Sequence, residues 1–548
     1  MIEDLWYRNT VVYSLDLETF QDSDGDGVGD FEGLVRRLDY LDALGVGTLW
    51  LAPFQPSPNR DNGYDISDFY GVDPRHGSGG GFVEFVHQAR KRGIKVVIDL
   101  VANHTSDKHR WFQEARRDPE SRYRDWYVWS KKRPSDWDEG MVFPGVQKST
   151  WTLDPVAGEY YFHRFYPHQP DLNVQNPEVR AEIRRIMGFW LELGVDGFRV
   201  DAVPFILESA APGPAAPTLN FDYLYEMRRF AQWRRGDSML LGEANVEPPE
   251  HRKFFGTDGG GLQMMFNFWV NQHLFLALAT GDTRPLAESL RSTRHLPHAC
   301  QWAHFLRNHD ELDLGRLTEE QREAVFAQFA PEEGMRLYGR GIRRRLDPML
   351  GDRRRVELAN SLMFSLPGTP VIRYGDEIGM GDDLRLNERD AVRTPMQWSD
   401  EPQGGFSTAA KTVHPVLDEG PYGYPRVNVA AQQRDPDSLL RWHMRMIRMR
   451  KQCPEIGWGD WTLLRTPPGI LALRYDWRGA SVLVIHNFTD RAHELRLRPG
   501  ANLLTDLIAE ESSRADASGT HKILLDGYGY RWFRVGGGLN DALERTRT

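Results

Sequence analysis

The run Gly197-Phe198-Arg199-Val200-Asp201 closes an apolar stretch on a bare carboxylate. Alternate residues of a strand share a face, so Arg199 and Asp201 point together while Phe198 and Val200 point the other way. A neighbouring guanidinium favours the ionised acid, and a carboxylate held charged at a strand tip suits a nucleophile. A structural ion pair would look the same locally. Two further acids end comparable stretches: Glu243 after Ser238-Met239-Leu240-Leu241-Gly242, and Asp310 after Trp302-Ala303-His304-Phe305-Leu306-Arg307-Asn308-His309. Three strands that each deliver an acid at the C-terminal end describe the rim where a parallel barrel enzyme builds its active site.

A second acidic pattern lies near the start of the chain. In Asp22-Ser23-Asp24-Gly25-Asp26-Gly27-Val28-Gly29-Asp30, hard oxygen ligands from Asp22, Asp24, Asp26, the Val28 carbonyl and Asp30 lie in a glycine-rich turn suited to Ca²⁺. The loop imitates the start of an EF-hand, but Gly33 stands where the twelfth-position Glu would be, so that motif is rejected. A solvated acidic turn is the alternative.

The elements that must hold these acids alternate. Val11 to Leu17, Gly47 to Leu51, Ile94 to Val101, Gly197 to Asp201, Met239 to Gly242, Leu262 to Phe266, Trp302 to Leu306 and Thr369 to Tyr374 read as strands. Amphipathic helices are expected between them, over Phe31 to Leu44, Gly81 to Arg92, Arg180 to Leu193 and Phe221 to Arg235. Eight strands in β-then-α order imply an α/β fold, a (β/α)8 TIM barrel. The alternation fails between Asn103 and Pro177, where Trp, Tyr, His and Pro accumulate, so residues 104–176 are read as a lid subdomain inserted over the barrel mouth. The barrel then occupies 1–103 and 177–455, with a charged rim insert over about 311–360, helical from Glu319 to Gly334 and solvated on its charged face. From 456 to 548 the period shifts to two, which predicts a C-terminal antiparallel β-sandwich.

The chain has 548 residues, 40% of them hydrophobic, and a formal charge of −10. That balance argues against nucleic acid or an anionic membrane as partner. No uncharged run approaches the roughly 20 apolar residues that span a bilayer, and Met1-Ile2-Glu3-Asp4 has no leader character. Cys300 and Cys453 fit two buried reduced thiols rather than a disulfide framework. A cytoplasmic enzyme is expected; a homo-oligomer is allowed.

Asp99-Leu100-Val101-Ala102-Asn103-His104, Gly197-Phe198-Arg199-Val200-Asp201, Gly242-Glu243-Ala244-Asn245 and Asn308-His309-Asp310 resemble, in order, the four short motifs of the α-amylase family of retaining glycoside hydrolases, and Gln169-Pro170-Asp171-Leu172-Asn173 resembles a fifth. His163-Arg164-Phe165, Leu366-Pro367-Gly368-Thr369-Pro370 and Val392-Arg393-Thr394-Pro395-Met396-Gln397-Trp398 resemble the trehalose synthase branch, whose members interconvert maltose and trehalose. The chain departs from that branch at Ser209-Ala210-Ala211-Pro212-Gly213-Pro214, where a Cys-containing stretch is usual. It also departs at Gly140, near which the branch carries an Arg able to pair with the acid at Glu311, and at Arg373, where a Tyr is usual.

The resemblance implies that Asp201 is the nucleophile, Glu243 the acid/base with a raised pKa, and Asp310 the stabiliser of the oxocarbenium-like charge. It implies that Tyr64 and Asp65 form the floor for the terminal glucose, that His104, Arg199 and His309 bind its hydroxyls, and that Arg393 reaches Asp65. It also implies a second structural Ca²⁺ on Asn103, Asp171, Glu208 and the carbonyls of Phe205 and Ile206, and no organic cofactor. The expected substrate is a short α-glucoside. If the lid holds the released glucose, the product is trehalose; if water enters, the enzyme is an α-glucosidase, and a longer acceptor makes it a transglucosidase. A catalytically inactive sugar-binding protein is the alternative of another class.

Overall fold

The computed structural model describes residues 3–208, 218–509 and 511–536, so the divergent stretch Ser209–Pro214 lies outside the described residues. Eight parallel strands close into a barrel: β1 (Val12–Leu15), β2 (Thr48–Leu51), β3 (Lys95–Leu100), β4 (Gly197–Val200), β5 (Met239–Gly242), β6 (Met264–Phe266), β7 (Gln301–Phe305) and β8 (Thr369–Arg373). Each pairs with its sequence neighbour and β8 closes on β1, with Val12 opposite Val371. Every strand residue except Lys95 is buried, because one face fills the barrel and the other meets the helices.

Most helices start on a side-chain cap. Ser78 accepts from the Gly81 N–H at the head of Gly79–Lys91, and Asn176 caps Pro177–Glu192, whose first residue is a proline. The helix expected over Phe31 to Leu44 is two, Phe31–Arg36 and Leu38–Leu44. The break falls at Arg37, whose guanidinium lies 4.0 Å over the Trp398 ring and whose Nε donates to Gln21.

The segment between β3 and helix Pro177–Glu192 forms its own small unit, with helix Arg110–Arg117 and an antiparallel sheet of Trp129–Ser130, Glu159–Phe162 and Trp151–Asp154. Its aromatic composition supplies a core: Trp111 packs edge-on to Trp126 at 4.8 Å and Phe112 to Tyr161 at 5.1 Å. The rim insert is shorter than expected. Its three-stranded sheet, Leu312–Asp313, Gly341–Ile342 and Arg336–Leu337, and its helix Glu319–Phe329 precede Arg353–Ser365, which is the barrel helix after β7. Helix Glu319–Phe329 opens on a capping box between Thr318 and Gln321 and stops before Gly334, because Ala330 precedes a proline and leaves the helical region. Val325, Phe326 and Phe329 are its buried side.

The C-terminal unit is a six-stranded antiparallel sheet faced by the pair His493–Leu497 and His521–Leu525. Ile470, Leu483, Ile485, Leu495, Ile523 and Phe533 pack between the two layers. The other face rests on the barrel: Tyr475 Oη donates to the Ser365 carbonyl and Trp532 Nε1 to Ser361. No helix among the described residues is long and apolar enough to cross a membrane.

Candidate active site

Asp201 and Glu243 stand one residue past β4 and β5. The N–H of Asp201 donates to the Leu100 carbonyl at 3.2 Å and that of Glu243 to Val200 at 3.1 Å, so the ladder itself fixes where each carboxylate emerges. Ala202 then adopts a left-handed conformation, φ 49°, and its N–H reaches Glu243 Oε2 at 3.1 Å. A non-glycine residue in that region stores strain, a recurrent feature of functional turns.

Beneath the acids lies one cation. Arg199, 1% exposed, places Nη1 2.5 Å from Asp99 and 2.5 Å from Asp201, and Nη2 2.8 Å from Glu243. Trp50 Nε1 donates to the second oxygen of Asp99 at 2.8 Å. One guanidinium therefore serves three buried carboxylates. Burial pushes Asp201 up to about 6 against the opposing charge of Arg199, with Asp99 and Asp310 adding to the rise. Burial outweighs the adjacent cation, whose charge is shared, so Asp201 sits above the ordinary carboxylate range, yet it stays mostly ionised at neutral pH, as the sequence suggested. Burial pushes Glu243 higher, to about 7, again opposed by Arg199 and reinforced by Asp201 and Asp310.

Asp310 has the opposite surroundings. Burial would raise it, but His309 and the guanidiniums of Arg389 and Arg393 hold its carboxyl far below the usual range. Arg389 Nη1 and Arg393 Nη2 lie 2.9 and 3.1 Å from Asp310 Oδ1. His309, pushed down to about 3 by burial, stacks on Tyr64 at 5.5 Å and shares a 2.9 Å hydrogen bond with its hydroxyl.

These groups surround a cavity of about 450 Å³, within the range of small-ligand sites. Asp201, Glu243 and Asp310 all line it, with Tyr64, His104 and His309. Arg199 does not line it; it lies behind the carboxylates, which it pairs. Asp65 is wholly buried, bound by Ser57 Oγ and by the N–H groups of Arg60 and Asp61, and does not form the floor. Arg393 does not reach Asp65, since its Nε donates to the His309 carbonyl and its Nη2 meets Asp310. Asp61 and Arg389 take those places: Asp61 lines the cavity, and Arg389 Nη2 lies 2.8 Å from it. Sequence reasoning missed both. The acid belongs to the same loop as Asp65, but nothing local links it to an arginine 328 positions away.

Of the first cation loop, the carboxylates of Asp22, Asp24 and Asp30 converge within 4.8 Å. Asp26 is not in that cluster; its carboxylate accepts the Val28 N–H at 2.7 Å. At the second, Asp171 is 5% exposed and accepts the Arg164 N–H at 2.9 Å, while the Arg164 guanidinium pairs with Glu208 and lies 5.1 Å from the Phe205 ring. The Phe205 carbonyl accepts the Glu208 N–H at 3.2 Å and Asn103 Nδ2 turns towards His104 Nδ1 at 3.3 Å, with Ile206 buried beside them. Burial pushes Asp171 up to about 7 and raises Glu208, even with Arg164 alongside. The carbonyl of Gly140, φ +69°, accepts from Arg164 Nη1 at 3.1 Å, and a Cβ there would meet that nitrogen at 2.5 Å. The positive φ favours glycine at this position, whereas the contact alone could be relieved by a shift of the Arg164 side chain.

The catalytic-domain profile described as "Alpha amylase, catalytic domain" matches residues 17–330 and 343–459, and a sucrose hydrolase-like C-terminal domain matches 479–534. A trehalose synthase of Thermus thermophilus is 44% identical over 97% of this chain, which spans 56% of that protein. A trehalose synthase of Pimelobacter sp. (strain R48) is 40% identical over 97% of this chain and 96% of its own length. An oligo-1,6-glucosidase of Bacillus cereus is 31% identical over 89% of the chain. Among solved structures, the trehalulose synthase MutB in an inactive form with isomaltulose superposes with a TM-score of 0.78 at 26% identity, covering 97% of this chain and 99% of that one. With a closed eight-stranded barrel, three acids on one cavity and this profile over most of its length, the chain belongs to the alpha-amylase family.

Proposed function

We propose that this enzyme interconverts maltose and trehalose through a covalent glucosyl intermediate. Asp201 attacks the anomeric carbon while Glu243 gives its proton to the departing oxygen; the 1-hydroxyl of the retained glucose then attacks the intermediate and returns its proton to Glu243. Asp310 stays ionised throughout and faces the developing positive charge. The observation that carries the reading is electrostatic. Asp201 and Glu243 sit on neighbouring nitrogens of one guanidinium, close together as double displacement requires, and Glu243 is the weaker acid of the two. Its proton is thus available at a pH where Asp201 is charged.

Tyr64, His104, His309, Asp61 and Arg389 are placed to hold the non-reducing glucose. The trehalose synthases at 40–44% identity favour the isomerase over the hydrolase. The oligo-1,6-glucosidase relatives, at 31–33%, keep α-glucosidase activity as the second reading. The inactive sugar-binding alternative has no support, since the family is enzymatic and all three acids face the cavity. Incubation with maltose, followed by NMR, decides: trehalose supports the proposal, and glucose as the sole product refutes it.

Both cation sites stay in the proposal. The donor set at Asp171 and Glu208 offers buried and half-buried carboxylate oxygens of the kind a hard cation takes, with Arg164 already paired to Glu208; Asp22, Asp24 and Asp30 offer converging oxygens at the other. Cys300 and Cys453 are buried unpaired thiols, which suits a cytoplasmic enzyme.

A further inference from the structure

A second cavity, of about 380 Å³, lies against the outer face of β7, where the chain passes from the barrel into the C-terminal unit. Trp302 and His304, which alternate with the inward Ala303 and Phe305, line it, and so do Asn267, just past β6, and Trp458 and Trp461. It shares no lining residue with the catalytic cavity. Its depth holds donors without acceptors. Asn267, 1% exposed, caps helix Phe268–Thr280 by accepting the Val270 N–H on Oδ1 at 3.0 Å, and its Nδ2, fixed on the other side of the amide, is buried without a partner. Trp458 Nε1 is a second buried donor in the same condition. Buried donors left unmade are costly, so two on one cavity wall ask for acceptor oxygens from outside the fold.

The mouth is basic. Arg294, His295 and His298 are exposed there, and Arg8 lies beside them, its Nη1 2.5 Å from the His298 carbonyl and its Nε 3.2 Å from that of Gly457. Burial lowers the Arg8 pKa, and the groups opposing that fall are Tyr7 and Cys300 rather than a carboxylate. Among the described residues of the wall, Asp460 is the one acid, and it is exposed. Arg8 lies 4.8 Å over the Trp458 ring and Arg294 5.0 Å over that of Trp461. Cations, not bare rings, therefore face a ligand.

We propose that this cavity binds a small phosphorylated sugar, with the phosphate at Arg8 and Arg294 and the sugar oxygens on Asn267 Nδ2 and Trp458 Nε1. Guanidinium groups without a carboxylate partner suit a phosphate, and the volume is that of a small-ligand site. A ligand here touches both the barrel and the start of the C-terminal unit, so it stabilises the folded chain by mass action. The site stands apart from the reaction of the catalytic cavity and does not depend on its assignment.

The test titrates the full chain by calorimetry with glucose 6-phosphate, inorganic phosphate and glucose at constant ionic strength, alongside melting curves. Glucose 6-phosphate should bind and raise the melting temperature, inorganic phosphate should bind more weakly, and glucose should show no binding that depends on Arg294. Arg294→Met should weaken both phosphate ligands about tenfold. Asn267→Asp keeps the helix cap but exchanges the donor for an acceptor, and should weaken glucose 6-phosphate by a similar factor. Maltose turnover should be unchanged in both variants. Arg294 is exposed, so its variant decides even where Asn267→Asp fails to fold. Absence of binding, an affinity untouched by Arg294→Met, or displacement of glucose 6-phosphate by maltose overturns the proposal. Equal affinity for inorganic phosphate and glucose 6-phosphate also overturns it, since the site would then hold a bare anion.

Discussion

The two ends of the barrel interior are filled with opposite chemistry by the same strands. Towards the N-terminal end, Val12, Val97, Leu241, Met264, Ala303 and Val371 form an apolar plug, each at most 2% exposed. One inward step further along β3, β5 and β8, Val97 gives way to Asp99, Leu241 to Glu243 and Val371 to Arg373, which pairs with Asp16. Apolar contacts at the plug gain free energy by leaving water. The charges above it lose hydration and recover it only through their partners. The plug can thus be read as the part that stabilises the barrel, and the charged layer as the part that is costly to fold and able to do chemistry.

The comparison can be broken most directly at the acids. Asp201→Ala or Glu243→Gln should lower turnover of maltose by about a thousandfold or more while the melting temperature is kept or rises; near-normal activity in either would remove the role assignment. Next in size is Arg199→Met, which strands three buried carboxylates. It should cost roughly 3–5 kcal/mol in denaturant unfolding and move the pH optimum upward, and a stable variant with an unmoved optimum would show that the guanidinium does not set the acids. Leu241→Ala, on the same face of the strand that ends in Glu243, should cost about 2–5 kcal/mol of stability with kcat preserved at low temperature. Loss of kcat without loss of stability would erase the distinction between the two ends.

Two smaller effects sharpen it. Asp201 must be charged and Glu243 protonated, so kcat/KM should rise as pH climbs through about 6 and fall as it passes about 7, giving a narrow bell. A plateau extending well into alkaline pH would exclude Glu243 as the acid. Exhaustive chelation should lower the melting temperature by about one degree, on the order of 1 kcal/mol for a chain of this length, with calcium restoring it; no metal in the untreated protein and no shift would eliminate both cation sites.

How far the sequence could be read differs from residue to residue. The convergence of Asp201, Glu243 and Asp310 was legible because each acid ends its own apolar strand, and a closed barrel leaves such ends only one place to meet. Asp61 was missed in favour of Asp65 because both lie in one loop. The turns at Asn59, Asn62 and Gly63, all at positive φ, fold Asp65 under the Arg60 and Asp61 amides and leave Asp61 at the surface of the cavity. Arg393 was matched to the wrong acid for a related reason: a long flexible side chain reaches many partners, and only packing selects one. The length of the rim insert was overestimated because the charges of Arg353-Arg354-Arg355 mask the apolar face of a barrel helix.

Periodicity and strand-end chemistry in the sequence alone determined the barrel, the lid, the β-domain and the three acids of the cavity. Only the folded chain decided that one arginine serves three carboxylates and that two others hold Asp310 low. Sequence order carries the period of burial, which is local; the strength of a charge depends on distance and on the exclusion of water, and both arise when remote segments are packed together.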